Sequence, residues 1–252
     1  MTDTIRLIQR AKEASAAIAA ADTKRKDLAL NNMAGALCAA SAEILRANAA
    51  DVERARGQIS ETMIDRLLLT PARIAGMAEG LRQVAALPDP VGVCYEKIER
   101  PNGLLIEKVA VPLGVIGIIY ESRPNVTADA AALCVKSGNA CVLRVGKEAW
   151  QSAHAIVTAL RAGLAAVGMP EDAIVLVEDV SRESAHEMMR AVGLIDLLIP
   201  RGSAGLIRAC TENATVPCIQ TGTGVCHVYV DEAADIDMAL NIVENAKVSR
   251  PS

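Results

Sequence analysis

The chain has 252 residues, of which 52% are hydrophobic and 22% are charged, with a formal net charge of −4 and a pI near 5.5. This length and apolar content suffice to bury a core in one or two domains. The acidic balance gives no general attraction to phosphate backbones or anionic membranes, and one Trp, three Tyr and no Phe disfavour base-stacking platforms. Nucleic acid is therefore a poor candidate partner, and an anionic ligand requires a local basic site.

The sequence predicts neither a secretion signal nor a membrane-spanning segment. The Ala-rich residues 14–21 are flanked by charges, which is typical of an amphipathic helix. The longest strongly apolar stretch, 109–120, is interrupted by proline and glycine and falls short of the roughly 20 residues that a membrane helix needs. The seven cysteines contain no Cys-x-x-Cys pair, so we expect reduced thiols, a cytoplasmic protein and no metal site.

Residues 1–88 are predicted to form a helical arm. Asp22, Ser60 and Thr70 each precede a segment of helical period, where their side chains can cap free amides. Pro71 suits the first helical turn. The run 88–90, Pro-Asp-Pro, ends the arm because proline lacks an amide donor and restricts the preceding residue. A domain boundary is expected there.

Residues 89–112 are predicted to form a β-hairpin. Two runs with alternating charges flank Pro101-Asn102-Gly103, and an Asn-Gly pair tolerates the positive φ of a tight turn. The charge alternation suits an exposed ribbon.

From residue 113 onward, short β-branched runs alternate with segments of helical period. The runs are residues 114–119, 140–143, 173–177, 194–199 and 225–230, and the helical segments include 149–167 and 203–210. This alternation predicts a doubly wound parallel sheet in an α/β domain over residues 113–252. Such sheets bind ligands at the carboxyl ends of their strands, so functional residues are expected directly after these runs.

A polar loop follows the first of these strands. Its Arg123 can clamp a carboxylate or a phosphate through the planar guanidinium group, and the following helix presents free amides to an anion. Asn125 can donate a hydrogen bond to a developing oxyanion. On the residues alone, a plain polar loop before a helix is an equally good interpretation.

Basic and glycine residues follow the second and fourth strands. Arg144 and Lys147 flank Gly146 at a helix start, which suits an adenosine ribose and its phosphates because glycine permits close approach. Both cations could also be ordinary surface charges. Arg201-Gly202-Ser203 opens another helix and could hold a pyrophosphate. A lone Gly-x-x-Gly turn is a weak signal, however, and the sequence has no Gly-x-Gly-x-x-Gly fingerprint.

The last candidate site is the run 217–227, where Gly222 indicates backbone close to a ligand. Cys226 and His227 are adjacent in a predicted strand, and neighbouring strand residues point to opposite faces, so we do not expect a nucleophile-base pair. The remaining cysteines of this region fit buried apolar faces: Cys134, Cys141, Cys210 and Cys218.

The ordered motifs resemble one family closely. Glu-Ser-Arg-Pro-Asn-Val-Thr at 121–127, Lys-Ser-Gly-Asn-Ala at 136–140 and Pro-Arg-Gly-Ser-Ala-Gly-Leu at 200–206 are similar to motifs of the γ-glutamyl phosphate reductases, in the aldehyde dehydrogenase superfamily. The resemblance covers essentially the whole chain. Val145 departs from a position where the family usually has glycine. Gln220 stands where many superfamily members place a glutamate base, and an amide is a poor proton acceptor.

The resemblance implies an aldehyde dehydrogenase-like, Rossmann-type sheet and NADPH-dependent reduction of L-glutamyl 5-phosphate to L-glutamate 5-semialdehyde, a step of proline biosynthesis. It implies that Asn125 is catalytic and that Glu121-Ser122-Arg123 bind the small-molecule substrate. The residues expected to contact NADP are Arg144, Gly146, Lys147, Arg201, Gly202, Ser203 and Gly222. A homo-oligomer is also implied, with the hairpin docked on another subunit's sheet, while a solvent-facing hairpin stays open.

In this family a Lys-x-x-Arg-Pro-Ser run almost directly precedes the nucleophilic cysteine, and residues 247–252 match that run. We therefore expect a chain that lacks the nucleophile and most of the catalytic domain, and is inactive by itself. One alternative is a non-catalytic nucleotide-binding or oligomerising module that retains the cofactor site. Another acylating aldehyde dehydrogenase is a third possibility, which the loop at 121–125 disfavours.

Overall fold

The computed structural model describes residues 2–220 and 225–249. The chain divides into two compact units, Met1–Thr221 and Gly222–Ser252. The first unit contains the N-terminal helices, the hairpin and the main sheet. The segments 1–88, 89–112 and 113–252 stay a prediction about domain organisation.

The N-terminal part of the first unit is helical. Its helices are α1 (Asp3–Ala19), α2 (Thr23–Ala39), α3 (Ser41–Ala55), α4 (Glu61–Leu67) and α5 (Pro71–Ala86). Asp22, Ser60 and Thr70 accept hydrogen bonds from first-turn amides, which confirms the predicted caps. Proline at the start of α5 is confirmed as well.

The predicted hairpin is confirmed by β1 (Cys94–Glu99) and β2 (Leu105–Val109), which pair antiparallel. Gly103 has a φ of +82°, and the Arg100 amide donates to the Leu104 carbonyl at 2.9 Å to close the turn. All residues of both strands are exposed.

The main sheet is parallel, with strand order β5-β4-β3-β6. Its strands are β3 (Val115–Tyr120), β4 (Ala140–Val145), β5 (Ile174–Leu176) and β6 (Leu197–Arg201), and the helices that alternate with them are α6 (Pro124–Lys136), α7 (Trp150–Ala165), α8 (Arg182–Arg190) and α9 (Ala204–Asn213). The chain adds β4 and β5 on one side of β3 and then returns to add β6 on the other side. The strand order therefore reverses between β3 and β6, where α/β sheets bind ligands.

The helical arm and the sheet share one hydrophobic core. α2 packs against α5 and α7, and α3 packs against α7. At the closest approach, a Cβ on Gly163 of α7 would lie 2.5 Å from the Met33 Cα of α2. Helices α2, α3 and α5 therefore pack against the face of the sheet that carries α6 and α7, whereas α1 contacts β4, β5 and α8.

The second unit contains α10 (Ile236–Val248), whose first turn is capped by the Asp235 carboxylate. The strand predicted at 225–230 is wrong, because these residues form no strand in the structure. A strand needs a neighbouring strand for its backbone amides, and none of the described strands pairs with these residues. The argument that Cys226 and His227 point to opposite strand faces therefore no longer applies.

Within the described ranges, no single helix combines the length and apolar character needed to cross a bilayer. Taken together, α2 and α3 have that length and apolar character, but the pair is bent by 66° and both helices bury residues in the core.

Candidate functional site

The loops that follow β3 and β6 are tied together at the point where the strand order reverses. The Glu121 carboxylate accepts hydrogen bonds from the Ser203 amide at 2.7 Å and the Ser203 hydroxyl at 3.2 Å. A Cβ on Gly202 would lie 2.5 Å from Glu121 Oε2, so glycine permits this close approach. Glu121 therefore holds the Arg201-Gly202-Ser203 turn in place.

A second glutamate joins the loops after β3 and β4. Ser122 is buried and has a φ of +42°, a left-handed conformation that is uncommon for residues other than glycine. Glu148 Oε1 accepts from the Ser122 amide at 3.0 Å and from its hydroxyl at 2.6 Å, which stabilises this conformation. A Cβ on Gly146 would lie 2.3 Å from the same oxygen. The sequence reasoning missed Glu148, although it directly follows the Gly-Lys pair at 146–147.

A cavity of about 280 Å³, the arginine pocket, opens at this point. Its lining residues are Met63, Arg66, Glu121, Ser122, Arg123, Arg201, Gly202 and Ser203. Burial, with the nearby charges of Arg66 and Arg201, lowers the pKa of Arg123 below its ordinary value. Sequence reasoning anticipated every charged lining residue except Arg66, which α4 contributes from the helical arm.

A second cavity, of about 330 Å³, lies beside the ends of β4 and β5 and is called the β4–β5 cavity. It is lined by Arg54, Ala55, Gln58, Lys147, Glu148, Trp150, Gln151, Glu178 and Val180. The Trp150 indole donates to the Val177 carbonyl at 3.3 Å and stacks on the His154 ring, with 5.1 Å between centroids. The Trp150 ring is therefore held in a fixed orientation and lines the cavity together with two cations, Arg54 and Lys147.

Arg144 supports the wall of the β4–β5 cavity and is not one of its lining residues. One guanidinium nitrogen donates to the carbonyls of Val180 and Ser181, both at 2.8 Å. Its Nε is buried and has no partner among the described residues. Burial lowers the pKa of Arg144, and the negative charges of Glu148 and Asp179 oppose that shift. Arg144 thus orders the loop after β5, and its buried Nε–H is left without a partner among the described residues.

The other predicted site residues lie elsewhere. Asn125, in the first turn of α6, is exposed, lines neither cavity, and donates through its amide to the Asp129 carboxylate at 3.3 Å. Gly222 falls outside the described residues. Gln220 is exposed, and Val145 is buried within β4, so its side chain does not block the loop that follows.

The seven cysteines are free thiols. Cys134, Cys141 and Cys210 are buried as predicted, whereas Cys218 is partly exposed. Burial raises the pKa of Cys210 to about 11 and also raises that of Cys218, which disfavours the reactive thiolate. None of the seven lines either cavity. In the described part of the chain, no group of three or more His, Cys, Asp or Glu side chains could hold a metal ion.

A model of the Aldehyde dehydrogenase family matches residues 1–250. The chain belongs to the aldehyde dehydrogenase family. Within it, the chain is 59% identical to the gamma-glutamyl phosphate reductase of Neisseria meningitidis serogroup C and 58% identical to that of Streptococcus gordonii, over 252 residues in each case. The resemblance found in the motifs is thereby confirmed. The alignments include 100% of this chain, which spans about 60% of the length of these curated relatives.

Solved structures agree with this family assignment. The crystal structure of gamma-glutamyl phosphate reductase from Thermotoga maritima matches with a TM-score of 0.93 at 41% identity, over 99% of this chain and 61% of that chain. The corresponding Saccharomyces cerevisiae structure matches with a TM-score of 0.81 at 29% identity, over 100% of this chain and 64% of that chain. The predicted aldehyde dehydrogenase-like α/β fold is therefore confirmed.

Proposed function

We propose that this aldehyde dehydrogenase acts as a γ-glutamyl phosphate reductase, which uses NADPH to reduce L-glutamyl 5-phosphate to L-glutamate 5-semialdehyde in proline biosynthesis. The observation that carries the proposal is the pair of cavities at the carboxyl edge of the sheet. One offers an aromatic wall with two cations, and the other offers three arginines where the strand order reverses. The similarity to reductases of this name supports the same reaction.

The residues of the β4–β5 cavity fit the adenosine end of a nicotinamide cofactor. Its volume of about 330 Å³ lies in the usual range of ligand pockets, and Trp150 provides an apolar wall for a base. Lys147 and Arg54 can neutralise a ribose phosphate, which favours NADPH over NADH. Arg54 is oriented by the buried Asp51 carboxylate, 3.5 Å away. When bound, the cofactor supplies the hydride.

The chain's own residues would position the reactants. Glu121 and Glu148 hold the loops in place, and Arg123 would bind an anionic group of the substrate. Asn125 is proposed to donate to the developing oxyanion, which requires its amide to leave Asp129. We propose that none of the seven cysteines is the nucleophile, because burial disfavours the thiolate in several and none lines either of the two cavities described above.

The hairpin supports a homo-oligomer. Both strands are fully exposed and carry apolar side chains such as Tyr95 and Leu105, which are 67% and 55% exposed. An open strand edge of this kind is a template for pairing with another chain. We further propose a cytoplasmic location, with which seven free thiols are compatible.

A chimera tests the proposed function. Residues 1–252 would replace the matching segment of the Neisseria meningitidis relative, and phosphate-dependent reduction of NADP⁺ would be followed with glutamate semialdehyde. We expect activity within about tenfold of the parent enzyme, and an Asn125→Ala chimera to lose at least about a hundredfold in kcat. A folded chimera that binds NADPH without turnover would instead support a non-catalytic nucleotide-binding module.

A further inference from the structure

Three parts of the chain that are distant in sequence contribute to the arginine pocket. Arg66 lies in the last turn of α4, Arg123 follows β3, and Arg201 ends β6. Arg66 and Arg123 are both partly buried. The tertiary fold, and not the local sequence, therefore brings these three side chains together.

Like charges gathered in a cavity are unfavourable unless something offsets them. Among the described residues none of the three guanidinium groups makes an ion pair or a side-chain hydrogen bond, whereas Arg10 and Arg161 both pair with Asp172, at 2.7 and 2.9 Å. Glu121 is the acidic residue of the lining, and its oxygens accept from Ser203. Arg201 is exposed to solvent, and the three positive charges against one negative charge make the pocket electropositive, which favours an anionic ligand.

Guanidinium groups bind carboxylates and phosphates through paired N–H donors in a fixed plane. The volume of about 280 Å³ leaves room for such a group beside the arginines. The pocket also has its own walls: Arg54, Lys147 and Trp150 line the β4–β5 cavity and do not line the arginine pocket. An anion held here would therefore not compete with the adenosine end of the cofactor.

We propose that Arg66, Arg123 and Arg201 form the site for an anionic group of the substrate, which replaces the NADP contact that the resemblance implies for Arg201, and that Arg66 is a specificity-determining residue of this enzyme. The inference rests on the proposed function, which supplies a substrate with a phosphate at one end and a carboxylate at the other. Either group has the chemistry that the pocket recognises. The arm helix α4 thus takes part in substrate binding, in addition to packing on α3.

Isothermal titration of the 252-residue chain at low ionic strength tests this proposal with three probes: inorganic phosphate, glutarate and NADPH. The variants are Arg66→Gln and Arg123→Gln, with Arg66→Lys as the conservative change. Arg46→Gln is the matched control, because Arg46 is exposed on α3 and lines neither cavity. Circular dichroism melting curves verify that each variant is folded.

We expect the Kd of phosphate or glutarate to rise about tenfold or more in Arg66→Gln and Arg123→Gln, and about threefold in Arg66→Lys. The Arg46→Gln control should bind like the wild-type chain, and NADPH affinity should stay within about twofold throughout. Tighter binding of phosphate would assign the pocket to the phosphoryl group, and tighter binding of glutarate would assign it to the carboxylate end.

Three results would overturn the inference. Unchanged anion affinity in Arg66→Gln would remove Arg66 from the site. A parallel loss of phosphate and NADPH affinity would assign the pocket to the cofactor's pyrophosphate. Binding of NADPH with no binding of either anion would refute the substrate site and leave the proposed cofactor site standing, whereas failure to bind any of the three probes would contradict both.

Discussion

Lys136 at one edge of the parallel sheet and the three arginines of the pocket at the other edge differ in how their charges are paired. At the amino edge, Lys136 is buried, lies 2.5 Å from the Asp27 carboxylate and donates to the Ala85 carbonyl at 2.7 Å. Beside it, Asn139 Oδ1 accepts from the Gly114 amide at 2.8 Å. At the carboxyl edge, the three arginines of the pocket have no such partners among the described residues. Satisfied polar groups indicate a structural role, and unpaired ones indicate a ligand site.

This contrast matters because family-like motifs lie at both edges. The motif at 136–140 begins with the paired Lys136, whereas the motifs at 121–127 and 200–206 contain the unpaired Arg123 and Arg201. Resemblance to the family alone does not distinguish a structural residue from a ligand-binding residue. The presence or absence of hydrogen-bond partners does distinguish them.

The largest expected effect is at the amino edge. Lys136→Ala removes a buried cation and leaves Asp27 unpaired, so the free energy of unfolding should fall by about 2 to 3 kcal/mol. Urea denaturation measures this loss. Lys24→Ala, an exposed change on α2, is the control and should shift stability by less than about 0.5 kcal/mol. A loss for Lys136→Ala no larger than that of the control would contradict the structural role.

Asp89 pairs with the buried Lys26, so the pH dependence of the free energy of unfolding tests a second paired charge. Desolvation raises the pKa of this carboxyl, but hydrogen bonds from Lys26, Thr23 and the Val91 amide outweigh it, so the pKa is lowered overall. A lowered folded-state pKa contributes stability that is present above about pH 4 and is lost as the pH falls through the folded value.

We therefore expect the free energy of unfolding to decrease more steeply as the pH falls below about 4 in the wild-type chain than in Asp89→Asn. At pH 7 this variant should itself be less stable by about 2 kcal/mol, because Lys26 is buried. Asp65→Asn, which breaks an exposed pair with Arg73, is the control. Equal acid sensitivity of the wild type and Asp89→Asn would refute this account.

At the carboxyl edge, Gly202 lies in the turn after β6 and Gly205 lies in α9, so alanine substitutions at the two positions compare the geometry of the turn with the effect of a change in the helix. Gly202→Ala should displace the Glu121 carboxylate and weaken phosphate binding about tenfold, because the added Cβ would lie 2.5 Å from its oxygen. Gly205→Ala has its nearest neighbouring atom at 3.9 Å and should bind normally. Phosphate titration compares the two variants, and an equal response of both would show that Glu121 does not position the turn.

The smallest effect should be the stability change of Arg123→Gln. The charged form of Arg123 is disfavoured by burial and by Arg66 and Arg201, so its removal should leave the free energy of unfolding unchanged or raise it by up to about 1 kcal/mol. Urea denaturation checks this beside Lys136→Ala. A loss greater than about 1 kcal/mol would mean that Arg123 has a structural role, and the contrast between the two edges would disappear.

The sequence predicted those features that depend on local chemistry. Asp22, Ser60 and Thr70 cap helices as expected, and the Asn-Gly turn closes the hairpin, because each motif satisfies its own nearby amides. The order of strands and helices predicted that the candidate ligand sites lie at the carboxyl edge of the sheet.

Features that depend on tertiary contacts could not be predicted in this way. Glu148 acts through Ser122, which is 26 positions away in sequence, and Arg66 reaches the pocket from a helix assigned to a separate arm. The predicted strand at 225–230 failed for the same reason, since a β-branched run becomes a strand only beside a partner.

We propose that the carboxyl edge of this sheet holds NADPH in preference to NADH. Fluorescence titration of the 252-residue chain and of Lys147→Ala with NADPH and NADH tests it most directly. We predict that the wild-type chain binds NADPH at least about tenfold more tightly than NADH, and that Lys147→Ala largely removes this difference. Equal affinity for both cofactors, or no binding of either, would contradict the claim.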